Sequence, residues 1–255
     1  MERSYITVPR ELMLQSKFDW DIDWRSQAAS QSNSGFTQTV FNAFPRWYGR
    51  PELSLLAGDI PLWRAIRASA RGRANIYRVP IIDGIVTSRS LWDDYSGGVE
   101  LSTGGRLDTG AGFEYSPSMA VVKVSEDGTI LPGDSVVSAG AEYITVADDM
   151  KTNYVPKIGA IHSVNDFPYI ITEVRTLENT LDESVLPGAI NLYELKIETP
   201  LRKPVATMLS DGYSGGRLEL LAYGLFTVDS DTDGAITYGP NYGSKVKFNF
   251  VEWLR

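Results

Sequence analysis

Residues 56–82 read LAGDIPLWRAIRASARGRANIYRVPII, and the folding of this stretch sets the reading of everything around it. Asp59 stands where an N-cap carboxylate can accept the first free backbone N–H groups. Pro61 is tolerated in the first turn, because those N–H groups have no helical partner anyway. Leu62, Trp63, Ile66 and Ala70 recur at helical spacing and define a narrow apolar face. Arg64, Arg67 and Arg71 fall on another face, and Gly72 offers a C′ position able to take φ > 0. The spacing predicts a helix near 60–71, then a strand built on Ile76, Tyr77, Val79, Ile81 and Ile82. At about 12–13 residues such a helix has ordinary length and is too short to persist alone in water. It must pack on a sheet, with Leu62, Trp63 and Ile66 turned toward strands that include residues 18–24.

Those residues, FDWDIDW, alternate strictly: Phe18, Trp20, Ile22 and Trp24 on one side, Asp19, Asp21 and Asp23 on the other. Period-2 alternation makes a strand with an aromatic core face and a row of carboxylates. The row is either a solvated face or the lining of a channel or subunit boundary. Residues 26–35 form a polar loop, long enough to be an arm that orders on another subunit. Residues 36–56 read as a hairpin broken at Gly49 and Pro51. The glycine-rich stretch 83–118 shows neither P-loop nor Rossmann spacing and reads as turns. Between 119 and 205, six short strands at regular spacing predict a small barrel or sandwich, with Asp127-Gly128 and Asn165-Asp166 as turn dipeptides. Two longer strands, 217–228 and 245–253, return to the first sheet. The organisation expected is a discontinuous domain, 1–118 plus 206–255, carrying an insertion at 119–205.

Composition narrows the chemistry. The 255 residues contain no cysteine, which excludes disulfides, thiolate metal sites and a cysteine nucleophile. A single histidine, His162, excludes a multi-histidine metal site. His162 lies on a strand between Ile161 and Ser163 and reads as structural. A net charge of −8 opposes binding to the phosphate backbone. No apolar run reaches the ~18 residues of a membrane span, and the start lacks a signal-peptide core; synthesis in the cytoplasm without membrane insertion is expected. Asp229-Ser-Asp231-Thr-Asp233-Gly234 matches the opening of a calcium loop, but position 12 is Pro240 instead of a bidentate Glu. It reads as an acidic turn with calcium as the lesser reading. Arg64, Arg67, Arg71, Arg73 and Arg78 form a basic patch suited to charge pairing, within the chain or with a neighbour's acidic row. No cofactor, metal or catalytic residue is expected.

With these residues in place, the chain resembles a known family. GFTQTVFNAFPRWYGRPELSLL followed by LWRAIRASARGRANIYRVPIIDG is similar to the start of distal tail proteins from long-tailed, siphovirus-type bacteriophages. The shared pattern falls on Trp47, Trp63, Ala65, Arg71, Gly72, Arg73, Asn75, Tyr77 and Val79. IGAIHSVNDFPYIITEV and LYELKIETPLR are similar to that family's inserted barrel, ending on Pro200-Leu201-Arg202, and VKFNFVEWL to its final strand. The resemblance implies a mainly β, tail-tube-like β-sandwich with one packed helix and an inserted small β-barrel or sandwich. It implies a virion protein of the tail tip: a hexameric ring joining the tail tube protein to the hub and receptor-binding proteins, with DNA passing the lumen unbound. The alternative is a carbohydrate-binding module, with Trp92 and Tyr95 as the rings that stack on sugar.

Overall fold

The computed structural model describes residues 3–14, 16–17, 19–24, 27–28, 39–40, 45–83, 99–100, 106–107, 118–124, 135–148, 154–177, 191–207, 215–238 and 244–254. The protein is mainly β. Among the described residues there are two helices, α1 (Arg10–Leu14) and α2 (Asp59–Ala70). The chain forms two compact units, Met1–Pro80 with Gly224–Arg255, and Ile81–Tyr223. The junctions therefore fall at Pro80 and Gly224, whereas strand spacing alone places them at 118 and 206. The physical reason at the second junction is that the stretch 217–228 is two strands rather than one. Arg217–Glu219 pairs inside the second unit, and Tyr223–Val228 belongs to the first unit's large sheet.

In the first unit six strands run in the order Tyr5–Thr7, Ile76–Pro80, Tyr223–Val228, Phe250–Glu252, Arg46–Gly49, Trp20–Asp23. A second sheet of four runs Ser16–Lys17, Glu52–Leu55, Ser244–Lys247, Ile236–Tyr238. The expected single strand over 245–253 is thus split, with one half in each sheet and Phe248-Asn249 between them. An aromatic chain knits the core. Trp63 stacks on Phe248 at 5.1 Å, Phe248 meets Phe250 at 4.6 Å, and Phe226 meets Trp20 at 5.0 Å. Phe250 touches Phe226 at 5.8 Å and lies nearly parallel to Trp20 at 6.2 Å. Gly49 sits under the Trp20 ring, where a Cβ would collide with it.

Helix α2 begins one residue earlier than its capping pattern predicts. The N-cap is Gly58, which makes no side-chain cap. Asp59 occupies the first helical position, where its carboxylate still faces the positive helix end and accepts the Leu56 N–H at 3.3 Å. The helix ends through two left-handed residues, Arg71 (φ 51°) and Gly72 (φ 63°), with the Arg71 N–H on the Arg67 carbonyl. Its buried stripe is Trp63, Ile66 and Ala70. Leu62 is 45% exposed, against expectation, because it lies outside the stripe, about 40° beyond Ile66 and about 100° from Trp63. The helix packs beside Tyr5–Thr7 of the six-stranded sheet. Trp63 connects to the Trp20–Asp23 strand of that sheet through Phe248 and Phe250, and Phe18 lies outside the described residues.

The second unit is a closed six-stranded barrel: Ser118–Val122, Tyr143–Ala147, Leu192–Glu198, Phe167–Leu177, Ile161–Val164 and Arg217–Glu219, which pairs back to the first. Closure removes sheet edges, and Ser118–Val122 is buried at all five positions. The Asn165-Asp166 turn joins Val164 to Phe167 with φ of 53° and 62°, as a two-residue I′ hairpin turn requires. His162 is fully buried on its strand. Its Nδ1 lies 3.1 Å from the Leu220 carbonyl and its Nε2 3.3 Å from the Tyr154 hydroxyl. In the neutral ring that arrangement makes Nδ1–H the donor and Nε2 the acceptor. Burial pushes His162 down to about 4. Burial, then the Asp83 charge, pushes the Tyr154 phenol up. The histidine is a satisfied core group.

Candidate functional site

The acidic strand presents its carboxylates as the alternation demands. Asp19, Asp21 and Asp23 are exposed, while Ile22 is buried and Trp20 half-buried. Trp24 departs from the pattern. The strand ends at Asp23, alternation no longer directs the next residue inward, and Trp24 is 46% exposed rather than a core anchor.

On the outer face, Asp21, Tyr48, Val251 and Thr227 form one cross-strand row. The Tyr48 hydroxyl donates to Asp21 Oδ2 at 3.4 Å, and Arg50 lies 5.6 Å over the Tyr48 ring. Partial burial, then the Asp21 carboxylate, raises the Tyr48 phenol above its ordinary value. An open groove of about 770 Å³ runs beside this row, lined by residues that include Asp23, Trp24, Tyr48, Arg50, Asp229 and Asn249. The sequence reading missed Tyr48 and Arg50. The signal was present: in RWYGR, period-2 alternation puts Arg46, Tyr48 and Arg50 on one face.

Trp20–Asp23 is the terminal strand of its sheet. The Arg50 N–H donates to the Asp19 carbonyl at 2.9 Å, which fixes the hydrogen-bonding phase. The Ile22 N–H instead donates to Asp21 Oδ1 at 2.7 Å. A side chain thus covers an edge donor that would otherwise template another strand.

At the opposite end of the same sheet lies the basic turn. Asn75 ties it down, donating from Nδ2 to the Ser69 carbonyl at 2.9 Å and accepting the Ser4 N–H at 3.1 Å. The Ile76 N–H donates to the Ser4 carbonyl. The segment Arg71–Arg73 is therefore held beside the start of Tyr5–Thr7, and Arg64, Arg71 and Arg73 are exposed.

Arg67 is used within the chain. Its guanidinium donates to the carbonyls of Asp233 and Asp231, both at 3.3 Å, and of Thr232 at 3.5 Å, while Trp63 Nε1–H donates to the Gly234 carbonyl at 3.0 Å. The Asp229–Gly234 loop therefore aims its carbonyls at α2. Its carboxylates diverge as well. Asp231 accepts the Arg73 N–H at 3.2 Å, Asp233 accepts the N–H groups of Ser230 and Asn249, and Asp229 lines the groove. Among the described residues no three acidic or histidine side chains converge as a metal site. Trp92 and Tyr95, the proposed sugar-stacking rings, lie outside the described residues.

Comparison with protein-family models gave no match, and comparison with curated proteins gave none either.

Proposed function

We propose that this chain is a structural, non-enzymatic subunit of a long-tailed phage tail tip. In that role it forms a ring of six with a tail-tube-like β-sandwich at its centre. The ring joins the tail tube to the hub and receptor-binding proteins in the virion, after synthesis in the host cytoplasm. The observation that carries the reading is the family-like pattern from Trp47 to Val79. Of its members, Trp47, Trp63, Tyr77 and Val79 are buried in the first unit, while Ala65 is exposed. The closed barrel between Pro80 and Gly224 is in keeping with an insertion in such a domain.

The charge fits the task. A ring of subunits that each carry a net charge of −8 repels DNA crossing its lumen rather than gripping it, and contact releases no counterions. A basic lumen would hold it. Mass in solution and a low-resolution image of the purified chain test the proposal. Closed rings with a central hole, and labelling of the tail tip by an antibody to this chain, are the expected results. A chain that stays monomeric up to high concentration would refute it, and glycan binding by that monomer would favour the sugar-binding alternative.

A further inference from the structure

The first unit carries opposite charges at the two ends of one sheet. Asp19, Asp21 and Asp23 occupy the terminal strand Trp20–Asp23, with Asp229 in the adjoining groove. Arg71 and Arg73 occupy the turn tied to Tyr5–Thr7, the strand at the other end, and Arg64 lies on the helix leading into it. Six strands leave five gaps, so about 24 Å separates the two ends at ~4.8 Å per gap. Across a Debye length of about 8–10 Å the Asp19–Asp23 row and the Arg71–Arg73 turn do not neutralise each other. The turn's partner within the chain is Asp231, whose Oδ1 lies 4.0 Å from Arg73 Nε in an exposed pair of small worth in water.

We infer that these two ends meet between copies. The acidic edge and groove of one subunit seat the Arg71–Arg73 turn of the next, in a head-to-tail contact. This rests on the ring proposed above and names its interface. A heterologous contact of this kind closes into a ring when its rotation closes, whereas a self-complementary contact stops at a dimer. A carboxylate row facing a copy of itself would be repelled, so the acidic edge selects the basic one. The groove also supplies what a seated guanidinium needs. Asp229 and Asp23 line it together with Arg50, whose charge lies 5.6 Å over the Tyr48 ring, and the exposed Trp24 offers a ring face. The Asp21 carboxylate on the Ile22 N–H meanwhile discourages strand addition at that edge. Side-chain pairing, not an added strand, then sets the contact.

The test is charge reversal with restoration, read as mass in solution on the full chain. Asp19→Lys with Asp23→Lys should weaken self-association at least about tenfold, because like charges then face each other. Arg71→Glu with Arg73→Glu should do the same. One chain carrying all four changes presents complementary ends again, inverted, and should reassemble. An equimolar mixture of the two double variants should likewise co-assemble, each contact pairing opposite charges. Far-UV circular dichroism and melting of each variant verify folding, since all four side chains are exposed. Assembly by the wild type that neither double variant disturbs would overturn the interface while leaving the ring intact. Failure of both the fourfold variant and the mixture, with folded chains, would overturn it too. A wild type that never assembles would overturn interface and ring together.

Discussion

Trp63 is the side chain on which α2 depends. It is 1% exposed, stacks on Phe248 and donates its indole N–H to the Gly234 carbonyl. Trp63→Ala should cost about 3–5 kcal/mol, measured by denaturant unfolding; a loss below about 1 kcal/mol would contradict this packing. In the barrel, His162 makes stability depend on pH. Burial pushes it down to about 4 in the folded chain, against 6.5 unfolded. Between those values the unfolded chain binds a proton that the folded chain does not. Stability is therefore lost as pH falls through that window, by about 3 kcal/mol over the whole shift. Unfolding midpoints measured from about pH 7 to pH 4 should show this slope in the wild type, and His162→Gln should remove it.

At the scale of elements, α2 and the Asp229–Gly234 loop behave as one piece, because Arg67 and Trp63 together satisfy the loop's carbonyls. Arg67→Ala should loosen the loop and destabilise the unit by about 1–2 kcal/mol, the cost of partly exposed hydrogen bonds from a charged donor. Hydrogen exchange at residues 231–235 reports it directly. Gly72→Ala meets two obstacles, a φ of 63° and a Cβ placed 2.7 Å from Asp231 Oδ1, and should cost about 1–2 kcal/mol or more. With its carbonyls turned to α2 and its carboxylates diverging, the loop should show no calcium site of millimolar affinity or better by calorimetry. A calcium-dependent rise in melting temperature would reverse that assignment, since a ligand binding only the folded state stabilises it.

For the molecule as a whole, the decisive quantity is the state of association. The proposed contact between the charged sheet ends is one that salt should weaken, because the Debye length shrinks to about 3 Å at 1 M. Rings observed at low ionic strength should dissociate, partly or fully, in molar salt. Association unchanged by salt would instead point to an apolar interface. The Glu52 carboxylate is a control on this measurement. Hydrogen bonds first from Lys245 at 2.9 Å and then from Lys247 at 3.1 Å hold it below its ordinary value. That contribution stays within one subunit, is present above the unfolded value of about 4.5, and fades as pH falls below it. Acid should thus affect folding and association separately.

Local periodicity by itself determined α2, the Trp20–Asp23 alternation, the Asn165-Asp166 turn and the mainly β character, because each is written into neighbouring residues as spacing or turn chemistry. The exposure of Asp19, Asp21 and Asp23 followed from the same alternation. Only the tertiary structure decided which strands share a sheet. Residues 217–228 and 245–253 each look like one strand, and each divides between two sheets, since apolar content does not record where a chain changes partner. The exposure of Leu62 and Trp24 was equally hidden, for it depends on what lies across from the helix stripe and on where a strand stops. The pairing of Arg67 with a loop more than 160 residues away, and the placing of acid and base at opposite ends of one sheet, came from strand order. Strand order is a long-range property, set by which apolar surfaces cover one another rather than by any single stretch of sequence.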